Sequence, residues 1–223
     1  DYQVLFFAYI DQNRMYFGVD FSGFSMSKRG YKAFVHPGSL KGTVAYSLVR
    51  ETGFEKDEVM LDPFSRDGVL AIEAAFYALD FPVNFYKKDR FAFRKLNLNI
   101  NFESFLENID KGVNHIKPKI YCFDHMFRNV DCSKKNAKLA GIDKFINFSR
   151  VELDWLDLKF ANQSVDKVIT ILPGSKQPNA TRVYNEFFYQ CKYILKKDGR
   201  IGSISQTPTT LKTIAQRRGF CLG

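Results

Sequence analysis

One stretch of this chain limits its fold more than any other: Glu58-Val-Met-Leu-Asp62-Pro-Phe-Ser-Arg-Asp67-Gly68-Val-Leu-Ala-Ile-Glu73-Ala-Ala. Val59 to Leu61 is a short apolar run of the kind a buried strand makes, and Asp62 closes it where a carboxylate would leave a sheet edge. Val69, Leu70, Ile72 and Ala75 then give an apolar face at helical spacing. The segment therefore reads strand, tight turn, helix. In a doubly wound α/β sheet such a turn lies at the carboxyl edge, where ligands bind. Any α/β domain offers a strand and helix joined through a glycine, so this segment alone does not separate a cofactor site from ordinary packing.

Two later runs repeat the pattern. Lys119-Ile-Tyr-Cys-Phe-Asp124 is apolar and closed by a carboxylate, and Phe145-Ile-Asn-Phe-Ser-Arg-Val-Glu-Leu-Asp154 ends the same way. Three acids at three strand ends, Asp62, Asp124 and Asp154, suit a ligand that carries an ammonium group, a ribose diol and an exocyclic amine. S-adenosylmethionine (SAM) has all three. Each acid also has a plain structural reading, as a strand-end residue capping the helix that follows. A nicotinamide dehydrogenase is disfavoured because the turn lacks G-x-G-x-x-G.

The remaining pattern predicts alternating strands and helices, hence parallel pairing with right-handed crossovers. Residues 2–10 and 15–21 read as a β-hairpin, and a helix is expected over 39–50. The core then runs strand 59–62, helix 68–79, strand 119–124, helix 127–140, strand 146–153, strand 166–172, helix 181–195, strand 200–205 and helix 208–218. The connection from Asp80 to Pro118 is too long for a plain loop and is expected to hold a helix near 104–111. Residues 1–35 form a hairpin and linker appendage, and 36–223 the main domain.

A chain of 223 residues that is 45% hydrophobic can bury a sizeable core. No apolar run approaches the roughly 20 residues that span a bilayer, and the first residues are not signal-like. Cys122, Cys132, Cys191 and Cys221 are scattered without a C-x-x-C pair, as expected of reduced cytoplasmic thiols, and the three histidines show no zinc-ligand spacing, so no metal is expected. A formal net charge of +9 favours an anionic partner such as nucleic acid. Lys87, Lys88, Arg90 and Arg94 interleave with aromatics, as RNA stacking and phosphate contact would require. The opposing reading, favoured on composition, packs those aromatics within the domain and leaves the cations solvated.

Several segments together resemble the THUMP-linked, UPF0020-type RNA guanine-N2 methyltransferases of archaea and bacteria. Asp62-Pro-Phe-Ser-Arg-Asp-Gly with Ile72-Glu-Ala-Ala is similar to their D-P-F-C-G-S-G…I-E-A-A signature. Val19-Asp-Phe-Ser-Gly…Arg29-Gly30-Tyr31, His36-Pro-Gly-Ser-Leu-Lys, Arg90-Phe-Ala-Phe, Asn136-Ala-Lys-x-Ala-Gly and Asp154-x-x-Asp157-Leu158 follow in the family's order across nearly the whole chain. The resemblance implies a Rossmann-like class I SAM-dependent methyltransferase domain with a mostly parallel α/β sheet and a short N-terminal hairpin. It implies RNA as partner, with tRNA expected, and a cytoplasmic setting. It places Ser39, Leu40, Asp62, Ser65, Asp67, Gly68, Asp124 and Asp154 at the cofactor, and Pro173 and Gly174 beside the methyl-transfer point.

The departures from the family pattern matter as much. Arg66 stands where a small residue is usual, so the backbone approaches a ligand less closely while a guanidinium is offered to it. After the fourth core strand the usual Asn-Pro-Pro-aromatic reads Ile171-Leu172-Pro173-Gly174, which removes a side-chain acceptor for the target amine and a platform for a flipped base. Two functions stay open: a SAM-dependent RNA methyltransferase, or a methyltransferase-like binding module that has lost catalysis. The family's N-terminal THUMP region and the last strands of its sheet are expected to be missing.

Overall fold

Seven strands, seven α-helices and four short 3-10 turns are laid out in a computed structural model that describes residues 4–174 and 180–221. Strands β1 (Leu5–Asp11) and β2 (Arg14–Asp20) pair antiparallel from Leu5 opposite Asp20 to Asp11 opposite Arg14, turning at Gln12 and Asn13. This is the expected hairpin. Both of its faces are exposed, with Phe6 stacked on Phe17 and Tyr9 beside Tyr16.

The core sheet comprises β3 (Val59–Asp62), β4 (Lys119–Asp124), β5 (Ile146–Arg150), β6 (Val165–Ile171) and β7 (Leu195–Ile204), in the order β5-β4-β3-β6-β7 and parallel throughout. The winding direction reverses between β3 and β6. Ligands of doubly wound sheets sit at that reversal, outside the carboxyl ends of the strands. Strand alternation fills two cores. Met60, Ile120 and Cys122 face α1 (Gly42–Glu51), α2 (Val69–Ala78) and α4 (Phe127–Ala140); Leu61, Phe123 and Val168 face α6 (Ala180–Ile194) and α7 (Pro208–Arg217). The expected helix in the long connection is α3 (Phe102–Lys111), capped by Asn101, whose side chain accepts from the amide of Ser104 at 3.0 Å.

Helix α2 is buried on nearly every side, so its one acid, Glu73, needs partners inside the protein. Arg29 supplies a two-pronged ion pair, Nε to Oε1 at 2.7 Å and Nη2 to Oε2 at 2.9 Å, and the Tyr31 hydroxyl donates to Oε1 at 2.6 Å. Arg29-Gly-Tyr31 and Ile72-Glu73 are thus two halves of one clamp that ties the linker to α2. Asn136 on α4 adds a second tie: its side chain accepts from the Phe34 amide at 3.0 Å and donates to the carbonyls of Phe34 and Asp67, both at 2.9 Å.

Two boundaries differ from expectation near the site. Helix α1 starts at Gly42, because the Lys32 ammonium holds the Ser39 hydroxyl at 2.6 Å and the Leu40 carbonyl, which keeps that segment extended. Strand β5 stops at Arg150 rather than 153. The Val151 amide makes a last bond to the Asp124 carbonyl at 3.1 Å, and the chain then enters a 3-10 turn over Leu153–Trp155. Among the described residues no helix is long and apolar enough to cross a membrane.

Candidate cofactor site

The turn from β3 to α2 is pinned at each step. The Ser65 amide donates to the Phe123 carbonyl at 2.9 Å, which couples the turn to the end of β4, and Gly68 enters α2 with φ +79°. A Cβ at Gly68 would come within 2.8 Å of the Ser133 Cβ, so close helix packing as well as backbone conformation demands glycine here. Arg66 also has a positive φ, +55°, a conformation that suits glycine better.

Asp62 and Asp124 end adjacent strands, Asp62 opposite Cys122 and Asp124 two residues further on, and both are almost fully buried. Asp62 accepts from the Thr170 hydroxyl at 2.6 Å and the Phe64 amide at 3.2 Å. Burial pushes its carboxyl up to about 7 against those two bonds, and the neighbouring Asp124 adds to the rise. Asp124 accepts from the amides of Met126 at 2.9 Å and Arg66 at 3.1 Å and from the Asn129 side chain at 3.0 Å. Asp67, in the same turn, is also buried; its Oδ2 takes the His36 amide at 3.4 Å, while Oδ1 has no hydrogen-bond partner among the described residues.

Two cations stand near these acids, the Lys32 ammonium 4.0 Å from Asp67 Oδ2 and the Arg66 guanidinium. The Arg66 guanidinium reaches across the winding reversal, where Nη2 donates to the carbonyls of Ile171 and Leu172, each at 3.2 Å, and Nη1 donates to the Gly38 carbonyl. Burial lowers its proton affinity, and the charges of Asp62, Asp124 and Asp67 work against that. The carboxyl edge is thus built to hold a cationic, multiply donating group. On the linker side lies a cavity of about 500 Å³ lined by Lys28, Arg29, Lys32, His36, Ser39 and Leu40 among others.

Residues 29–221 match the family UPF0020, described as the RMKL-like methyltransferase domain. The chain belongs to this family. The methyltransferase domain is 30% identical over 211 residues to the tRNA (guanine(6)-N2)-methyltransferase of Methanocaldococcus jannaschii, covering 91% of the chain and 54% of that protein. It is 33% identical over 150 residues to ribosomal RNA large subunit methyltransferase K/L of Shewanella woodyi, covering 64% of the chain and 21% of that protein. The chain thus spans about half of the first relative and about a fifth of the second. Among solved structures it superposes with a TM-score of 0.79 and 19% identity on a protein assigned as a methyltransferase and complexed with SAH, covering 97% of the chain and 56% of that protein. The fold is the Rossmann-like methyltransferase fold read from the sequence.

Within the methyltransferase domain, Asp62, Ser65, Asp67, Gly68 and Asp124 gather around one turn, as expected. Ser39 and Leu40 line the adjoining cavity instead of touching those carboxylates. Asp154 does not close a strand: β5 ends at Arg150, and Asp154 lies in the 3-10 turn that follows, with an exposed side chain. Pro173 and Gly174 follow β6 directly, and the Pro173 carbonyl accepts from the Tyr184 hydroxyl at 2.6 Å. Residues 175–179, which follow, lie outside the described residues.

The basic run lies in two 3-10 turns, Phe85–Arg90 and Ala92–Lys95, with Phe85 packed on Phe81 and Phe91 stacked on Phe93. Lys88 pairs with Asp110, and Arg94 with Glu103 at 2.8 Å. Arg90 lies over the Phe24 ring at 5.3 Å. Residues that sequence reasoning missed are the supports: Thr170 beneath Asp62, Asn129 beneath Asp124, and Lys32. Thr170 carried a signal, being a lone hydroxyl in the apolar end of β6.

Proposed function

We propose that this chain is a SAM-dependent RNA methyltransferase domain acting on the exocyclic amine of guanine, with tRNA as the RNA. The observation that carries the reading is the gathering of three buried acids, Asp62, Asp67 and Asp124, around the turn at the winding reversal of a methyltransferase-family sheet. The residues present fit SAM, because buried acids stand at the ends of two adjacent strands and Asp67 Oδ1 has no hydrogen-bond partner among the described residues. When bound, SAM supplies an activated methyl group on a sulfonium sulfur.

The chain's own residues do the rest. Asp62, Ser65, Asp67 and Gly68 form the turn that receives the amino-acid end, with Ser39 and Leu40 lining the approach. Asp124 accepts from the ribose hydroxyls, and Asp154, from its exposed turn, accepts from the adenine amino group. Pro173 and Gly174 flank the target amine. Among the described residues, ion pairs hold Lys88 and Arg94 but not Lys87 or Arg90, so the last two are the stronger phosphate contacts of the four.

A second reading, a binding module without catalysis, is favoured by one observation: the carbonyls at Ile171 and Leu172 are already engaged by Arg66. Transfer of a radiolabelled methyl group from SAM to unmodified tRNA separates the two. Labelled N2-methylguanosine is the expected product. Cofactor binding without label on any RNA favours the module.

A further inference from the structure

The linker cavity beside the turn is basic, with no acid in its wall. Lys28, Arg29, Lys32 and Lys41 line it together with His36 and Gly42, the first residue of α1, and neither Asp nor Glu is among its lining residues. Two of the four cations are engaged: Arg29 with Glu73, and Lys32 with the Ser39 hydroxyl and the Leu40 carbonyl. Lys28 and Lys41 are exposed, and among the described residues neither pairs with an acid. Helix α1 adds to the imbalance. Its first turn holds no acid, its N-cap Lys41 makes no side-chain cap bond, and its first backbone bond runs from the Ala45 amide to the Lys41 carbonyl at 3.0 Å, so the amides of Gly42, Thr43 and Val44 have no acceptor inside the helix. A lysine at this end also opposes the helix dipole.

We infer that this cavity seats a phosphate of the RNA strand, one that flanks the nucleotide entering the site, held by Lys28, Lys41 and the first amides of α1. Clustered cations and orphan N–H donors around one hollow are what a bound oxyanion stabilises. The wall carries no Phe, Tyr or Trp, so it gives a nucleobase nothing to stack on and suits the backbone instead. His36 Nδ1 accepts from the Gly38 amide at 2.9 Å, which leaves Nε2 to carry the proton as one more donor. The Lys87 ammonium lies against Gly30, where a Cβ would run into it, so the basic run continues onto the linker that bears Lys28 and Lys32. Ser39 and Leu40, gripped by Lys32, form the wall that the cavity shares with the cofactor's approach. The inference rests on the reading above for RNA as the source of the phosphate, and it adds a site that the cofactor does not use.

The test compares wild-type protein with Lys28→Ala/Lys41→Ala and with Lys138→Ala/Lys144→Ala, which removes the same charge from residues outside the cavity. Binding of unmodified tRNA is measured across a salt series, SAM binding by calorimetry, and inorganic phosphate binding by NMR at the Gly42 and Thr43 amides. The cavity variant is expected to bind tRNA at least fivefold more weakly, with its salt slope reduced by roughly one unit. Its SAM affinity should change less than twofold, and phosphate should shift the two amides in wild type but need at least fivefold more to do so in the variant. Loss of fold is excluded by melting, since the variant sheds a charge that opposes the α1 dipole and should melt no lower than wild type. Unchanged tRNA affinity, an equal loss in Lys138→Ala/Lys144→Ala, or no phosphate response in wild type overturns the inference; so does a fall in SAM affinity with tRNA binding intact, which assigns the cavity to the cofactor's carboxylate. If wild type methylates tRNA while the cavity variant binds it normally, the methyltransferase reading stands without this site; if the variant loses tRNA as expected while wild type labels no RNA, the phosphate site stands and that reading falls.

Discussion

The linker clamp and the β3–α2 turn are both built from motif residues and buried charge, yet they solve opposite problems. At the clamp, Glu73 meets Arg29 and Tyr31 with ideal geometry and Asn136 uses three of its hydrogen-bonding positions on backbone. At the turn, a non-glycine residue sits at positive φ, Asp62 is pushed up to about 7 and Asp67 keeps an oxygen without a partner among the described residues. The first region is satisfied and therefore structural. The second stores unspent hydrogen-bonding capacity and strain, which is the signature of a place that expects a ligand.

The sharpest way to break this contrast is Glu73→Ala. It strands a buried guanidinium, so a loss of about 3–5 kcal/mol is expected in urea unfolding, with Glu73→Gln losing less. A cost below about 1 kcal/mol would mean the clamp is not what ties the linker down.

Asp62→Asn should act in the opposite direction. Because the native carboxyl is raised to about 7 from an ordinary value of 3.8, the native state holds its proton more tightly than the unfolded state. That acid therefore costs stability progressively as pH climbs from about 4 to about 7, and the cost stays in place above 7. The amide should stabilise the fold at pH 8 by up to about 4 kcal/mol, with the gain closing toward pH 4, while SAM affinity falls. Equal melting temperatures at pH 8 would remove the claim of stored strain.

Asn136→Ala is expected to cost about 2–3 kcal/mol, since it leaves two carbonyls and an amide short of partners. Chemical denaturation reads this directly, and a neutral result would shift the second tie elsewhere. The smallest effects belong to the basic run. Lys87→Ala and Arg90→Ala should each change stability by less than about 1 kcal/mol and reduce the salt dependence of RNA binding by roughly one unit of slope. An unchanged slope would assign this surface wholly to packing.

How much of this was legible in sequence follows the same division. The parallel sheet, the turn and the placing of Asp62 and Asp124 at strand ends could be read from local patterns, because apolar runs closed by an acid report strand ends directly. The clamp could not: Arg29-Gly-Tyr and Ile-Glu-Ala-Ala were visible as motifs, but their meeting spans more than forty residues and only the fold creates it. Asp154 was misplaced because Val151 and Leu153 continue the apolar rhythm of β5 after the backbone has turned. Arg66 stood out as a departure, yet its three carbonyl partners come from two distant segments, so its role was written only in three dimensions.

The central claim, that the edge beside Asp62 and Asp124 is a SAM site, is tested most directly by a crystal structure of the chain grown with SAM. The account predicts the adenosyl group outside the carboxyl ends of β3 and β4 with its ribose within hydrogen-bond reach of Asp124. Density confined to the linker cavity by Lys28 and Lys32, or a ligand-free edge at saturating SAM, would contradict it.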